Sequence, residues 1–169
     1  PSPQEVSQSL KIFLLMTALS LAPSALVMMT SFTRILIVLG IMRQALGLQN
    51  VPPGQILAGM ALFLTMFTMA PVWEKINQDA VQPYMAEEIS QQEAWDKGIA
   101  PLKAFMLKQT GDSELNLFME ISGNKASANR DDIPLVVVIP SFMASELKTA
   151  LQMAFLVYLP FLIVDLVVA

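Results

Sequence analysis

Four charged side chains set in apolar surroundings carry most of the chemistry this chain could do: Arg34 in one long apolar stretch, and Glu146, Lys148 and Asp165 in another. Ser145 and Lys148 form a Ser-x-x-Lys element, the spacing that lets a lysine one helical turn on act as base for a serine nucleophile. The element is only four residues long. Ser127-Ala128-Asn129, which would stand in for a second serine-enzyme element, precedes rather than follows it, and no Lys-Thr-Gly comes after. The sequence contains no His and no Cys, which excludes imidazole and thiolate chemistry, metal sites built on those ligands, and disulfides. A membrane-bound Ser-Lys hydrolase is therefore the weakest reading, and no catalytic, cofactor or metal residue is assigned.

The alternative role for these charges is assembly. Glu146 and Lys148 are two residues apart, about 200° around a helix, so they cannot neutralise each other as an i,i+4 pair would. Each must find its counter-charge on another helix or another chain, because an ionisable group inside a bilayer costs roughly 2.5 to 3.5 kcal/mol on insertion scales. The bland reading is that this stretch lies in water and both are surface charges. Asp165 and Arg34 carry the same argument, and all four are candidate interface residues, with Phe105 and Phe118 added for their helical spacing in the segment between.

The chain of 169 residues is 54% hydrophobic and only 14% charged, with a mean hydropathy of +0.56, which points to a membrane-associated protein. A net charge of −4 argues against a nucleic-acid partner. The chain opens Pro-Ser-Pro, which fits a processed secretory signal or a boundary within a longer sequence.

Three regions position the candidate residues. Residues 1–73 hold two uncharged runs, Ile12 to Thr33 and Gln44 to Trp73, each long enough to cross a bilayer core. Pro23 is expected to kink or restart the first helix near Ala22 to Ser24. A second helix should begin near Gly54 and end around Pro71, making a helical hairpin. Met60, Phe63, Met66, Phe67 and Met69 give this helix an adaptable surface, and Gly40, Gly47, Gly54 and Gly59 would permit close helix approach. Residues 74–132 turn acidic and form a small water-facing helical domain, with Asp112 and Ser113 capping its second helix and Phe105, Leu107 and Phe118 holding it together or meeting another subunit. Residues 133–169 read as an apolar helix opened by Asp132 and divided at Pro140 and Pro160. Arg34 and Arg43 both precede the short connection of the hairpin while the acidic domain carries a negative excess, so the connection is expected in the cytoplasm and the acidic domain outside. The fold class is all-α: membrane-associated hairpins of kinked apolar helices with a small helical extracytoplasmic domain.

Four strings, SFTRILIVLGIMRQALG, GMALFLTMFTMAPVW, APLKAFMLKQT and SELKTALQMAFLVYLPFLIVDLVVA, taken in this order, resemble the FliP family of flagellar type III export gate proteins and its injectisome relatives. The resemblance implies a non-enzymatic subunit without cofactors, made with a cleavable signal. It implies assembly in several copies with FliQ, FliR and other export apparatus proteins at the bacterial inner membrane, in the flagellar basal body, where unfolded flagellar proteins pass through. It also implies a Met-rich turn and a further apolar segment beyond Ala169 that close the pore, so the twelve methionines here would not include the gate-forming ones. A subunit of a small-solute or ion transporter is the competing class, and it predicts an inverted repeat that the sequence does not display.

Overall fold

The computed structural model describes residues 3–123 and 129–169. Ser127 and Ala128 of the second serine-enzyme element, and most of the polar loop expected at 122–130, lie outside the described residues. Every regular element among the described residues is helical. α1 is Pro3–Met28, α2 Phe32–Ala45 and α3 Gly54–Ile76; α3 passes through a π turn, Asn77–Val81, into α4, Gln82–Met85. α5 (Gln91–Gln109) and α6 (Asp112–Ile121) form the outer segment, and a short 3₁₀ turn, Arg130–Asp132, leads into α7, Leu135–Val168.

The internal prolines do not divide the helices as expected. Pro23, Pro71, Pro140 and Pro160 all lie within continuous helix. Each removes one backbone hydrogen bond, but in an apolar sequence ending the helix would strand several more donors and acceptors with no water to take them. The break predicted at Ala22 to Ser24 occurs instead at Met29 to Ser31, where Thr30 and Ser31 offer the backbone side-chain alternatives; the Thr30 hydroxyl donates to the Val27 carbonyl and accepts from the Phe32 amide. α3 likewise continues past Pro71 and past the change in composition at residue 74. Pro83 accounts for the π turn, because its missing N–H and its ring disturb the bond four residues back. Just before it the helix widens, and the Gln82 amide donates to the Asn77 carbonyl five residues back.

Two other local expectations are corrected. Asp112 is the first residue of α6 rather than its cap: Gly111 holds the N-cap position and no side chain of its own caps the helix. Asp132 ends the 3₁₀ turn, and Pro134 precedes α7, its fixed φ suiting the entry to a helix. A capping box that the sequence does carry opens α5, where Ser90 accepts from the Glu93 amide and Glu93 from the Ser90 amide.

The core lies where the end of α1, α3, α5, α6 and the first third of α7 meet. Met29, Met69, Leu102, Met106, Met119, Val138 and Phe142 are buried there, and Phe105 packs edge to face on Phe142 at 5.8 Å between ring centres. On α3 a stripe at every fourth residue, Leu57, Ala61, Thr65 and Met69, is buried. Met60, Phe63, Met66 and Phe67 face outward on the same helix. A Cβ at Gly40, Gly54 or Gly59 would meet nothing within 4 Å, so these glycines do not bring helices together in this chain. Gly98 does, since a Cβ there would stand 3.5 Å from Ala80 in the π turn.

Among the described residues, three helical segments are long and apolar enough to cross a membrane: Val6–Met28, Gly54–Met85 and Leu135–Val168. At 1.5 Å per residue a hydrocarbon core of about 30 Å takes some 20 residues. Counted from Gly54, that length runs out at Trp73 and Glu74; counted back from Val168, it runs out at Lys148 and Thr149. The charged part of α7 and the helix-rich outer segment then lie at one end, and the α2–α3 connection and Asp165 at the other.

Candidate functional site

The first third of α7 presents its polar residues to two different neighbours, as a spacing of two on a helix requires. Glu146, 1% exposed, turns toward α2, where the Arg34 guanidinium donates to its Oε1 at 2.5 Å. The same Arg34 nitrogen donates to Gln109 Oε1 at 3.3 Å, tying in the end of α5. Lys148, on the far side, donates to Glu114 of α6 at 2.8 Å. Within this chain the counter-charges come from other helices, α2 for Glu146 and α6 for Lys148.

Between these two pairs sits Ser145, which is buried. Its hydroxyl accepts from the Gly111 amide at 2.9 Å and donates to Glu114 Oε2 at 3.4 Å. It therefore satisfies an otherwise unpaired donor at the start of α6, the task that the sequence suggested for Asp112 or Ser113. Ser113 instead donates to Glu114 Oε2 at 2.9 Å. The Lys148 bond first, and the Ser113 hydroxyl after it, hold the Glu114 carboxyl down at about 2. As a catalytic dyad Ser145 and Lys148 are poorly placed: the ammonium is committed to a carboxylate and the hydroxyl to a backbone amide.

A further cation completes the junction. Arg130, from the turn before α7, donates to the Leu107 and Thr110 carbonyls at 3.4 and 3.1 Å and pairs with Asp112 at 3.3 Å. It covers carbonyls that the end of α5 leaves open. Lys103 reaches the Asp131 carbonyl from the other side. Neither residue stood out in the sequence; the available signal, for Arg130 alone, was a basic residue just ahead of an apolar helix.

One feature of the junction is unsatisfied. Arg34 Nε and Glu146 Oε2 are both buried with no hydrogen-bond partner. A guanidinium presents parallel N–H groups that fit two carboxylate oxygens at once, but here only one oxygen is engaged. The remaining candidates are placed otherwise. Phe105 and Phe118 are half-buried against the chain's own core. Asp165 is exposed near the end of α7, with no ion pair among the described residues.

The arrangement is a charge-stapled junction. It locks α2, carrying the hairpin, to α7, and α7 to the outer helices α5 and α6, at the level where the membrane-length portion of α7 begins.

The sequence profile described as FliP family matches residues 15–169. Flagellar biosynthetic protein FliP of Bacillus subtilis (strain 168) is 47% identical over 167 residues, which are 99% of this chain and 76% of that protein. The protein of the same name from Aquifex aeolicus (strain VF5) is 48% identical over 163 residues, 95% of this chain and 68% of that protein. That from Buchnera aphidicola subsp. Acyrthosiphon pisum (strain APS) is 48% identical over 166 residues, 98% of this chain and 44% of that protein. The chain thus spans between 44% and 76% of these relatives' own lengths.

Proposed function

Since the chain belongs to the FliP family, we propose that it is a core subunit of the flagellar type III protein export gate, a non-enzymatic part through which unfolded flagellar proteins pass. The identity of 47% across 99% of the chain to a flagellar biosynthetic protein carries this reading. In it the chain assembles in several copies with FliQ, FliR and other export apparatus proteins at the bacterial inner membrane, within the flagellar basal body. The outer segment from α4 to α6 faces the periplasm, and the connection between α2 and α3 faces the cytoplasm.

The physical features support such a role. A conduit for a moving chain needs walls that hold their shape, and the ion pairs of Arg34 and Lys148 fix α2 and α6 against α7. The apolar surfaces of α1 and of α7 beyond Leu151 are almost wholly exposed in the single chain, far more than a lone soluble protein leaves bare. Lipid and other subunits are the two surroundings that would cover them.

The test uses the full-length protein in a flagellated bacterium whose own FliP-family gene is deleted. An export substrate fused to a tightly folded domain is used to stall the channel, and photoreactive residues are placed along α7. The gate reading predicts restored secretion and crosslinks to the stalled substrate from one side of α7. Restored growth and expression with no secreted flagellar protein, or crosslinks to lipid alone from every position, would contradict it.

A further inference from the structure

An open groove of about 620 Å³ runs between the end of α1, the π turn and its flanks, and α5. Ala25 and Met29 form one wall, Trp73, Ala80 and Tyr84 the second, and Trp95 stands on the third. No charged residue lines it, and the Tyr84 hydroxyl and the two indole N–H groups are its only polar side-chain atoms. Such a lining can hold hydrocarbon but offers almost nothing to fix the register of a polar or peptide ligand.

Its place in the fold indicates where the hydrocarbon comes from. α1's membrane-length segment ends at Met28, and α3's uncharged run ends at Trp73, so the groove opens where both helices leave the bilayer core. Trp73, Tyr84 and Trp95 are 37%, 46% and 65% exposed, amphipathic rings at the depth where membrane proteins concentrate them. The groove is also continuous with the bare apolar surface of α1, from Leu14 to Leu26. A lipid tail can enter from that surface without leaving apolar surroundings.

We propose that this groove binds a phospholipid acyl chain, seating the outer helices on the membrane at α5. The inference rests on α1 and α3 crossing the membrane and leaving it at Met28 and Trp73. The close approach of Gly98 to Ala80, which a Cβ would meet at 3.5 Å, joins two of the walls, and small residues at Ala25 and Ala94 leave the space open.

The test uses the full-length protein in nanodiscs of phosphatidylcholine carrying a diazirine near the end of one acyl chain. After irradiation, adducts are mapped by mass spectrometry in the unchanged protein, in Ala94→Leu and in Ala25→Leu. The expected result is adducts at Met29 and Tyr84 that fall about tenfold in both variants, equivalent to ~1.4 kcal/mol of lost occupancy, with adducts at Leu14 and Leu19 unchanged. Adducts on α1 with none at Met29 and Tyr84, or groove adducts indifferent to both variants, would overturn the groove while leaving the membrane placement intact. No adducts on α1 or in the groove would overturn both. A photoreactive residue at position 95 that crosslinks to a second copy of this chain instead of lipid would also overturn the proposal.

Discussion

Removing either partner of the Arg34–Glu146 pair should destabilise the chain, and unequally. Arg34→Ala leaves Glu146, 1% exposed and with one oxygen already unpartnered, facing no counter-charge. Breaking a buried pair in this way costs about 3 to 5 kcal/mol. Glu146→Ala leaves a guanidinium that is 23% exposed and keeps Gln109 as acceptor at 3.3 Å. It can reach water, so the cost falls to roughly 2 kcal/mol. Replacing both with apolar residues of similar size, Arg34→Met with Glu146→Leu, should return stability to within about 1 kcal/mol of the original, because the desolvation of both charges disappears along with their attraction. The assay is equilibrium unfolding of the protein in detergent micelles, followed by the fluorescence of Trp73 and Trp95. Two single variants each within about 0.5 kcal/mol of the parent, with additive effects in the double variant, would show that the pair is not coupled and refute the reasoning. The reverse order, Glu146→Ala costing more than Arg34→Ala, would refute the burial difference on which it depends.

Glu114 gives a pH dependence whose direction follows from its lowered folded value. Its carboxyl titrates at about 2 in the folded chain against an ordinary 4.5, so its contribution is complete above about pH 4.5 and is lost as pH falls toward 2. Thermal melts in micelles should show that loss in the parent and not in Glu114→Gln. Gly111→Ala should disturb the same pair, because the new Cβ would stand 2.4 Å from Glu114 Oε2, an oxygen that accepts from two serines on a carboxylate held by Lys148; a melt showing the parent's acid response undiminished would count against this. Ser145→Ala should cost about 1 to 3 kcal/mol by leaving the Gly111 amide without its acceptor, while a serine-directed acylating probe should label neither protein. Labelling of the parent that is lost in Ser145→Ala would restore the hydrolase reading. Glu146→Ala should lower the yield of assembled complex on native gels more than Glu87→Ala, since Glu87 is exposed; equal yields would contradict it.

What could be read from the sequence was governed by range. Charge in an apolar run is a local observation, and it located Arg34, Glu146 and Lys148. The 200° separation on one helix already required that the latter two face different neighbours. Which neighbours they face depends on packing, and no pattern within a window of residues links Arg34 to Glu146 or Lys148 to Glu114. The prolines misled because their effect was judged one helix at a time. Within long apolar helices the cost of one lost bond is smaller than the cost of exposing a whole turn, so α1, α3 and α7 run on. Gly111 was read as a turn with its cap in the following residues; the cap arrived from Ser145, thirty-four positions away. The Ser90 capping box, by contrast, was present in the sequence as Ser-x-x-Glu, and Arg130 was visible only as a lone basic residue after a polar loop.

The central proposal is that this chain belongs to a larger gate. Native mass spectrometry of the full-length protein, extracted from bacterial membranes with its neighbours and released from detergent in the gas phase, measures that directly. The expected particle contains several copies of this chain together with FliQ and FliR. A lone monomer, or a complex of this chain only with a solute-transporter subunit, would contradict it.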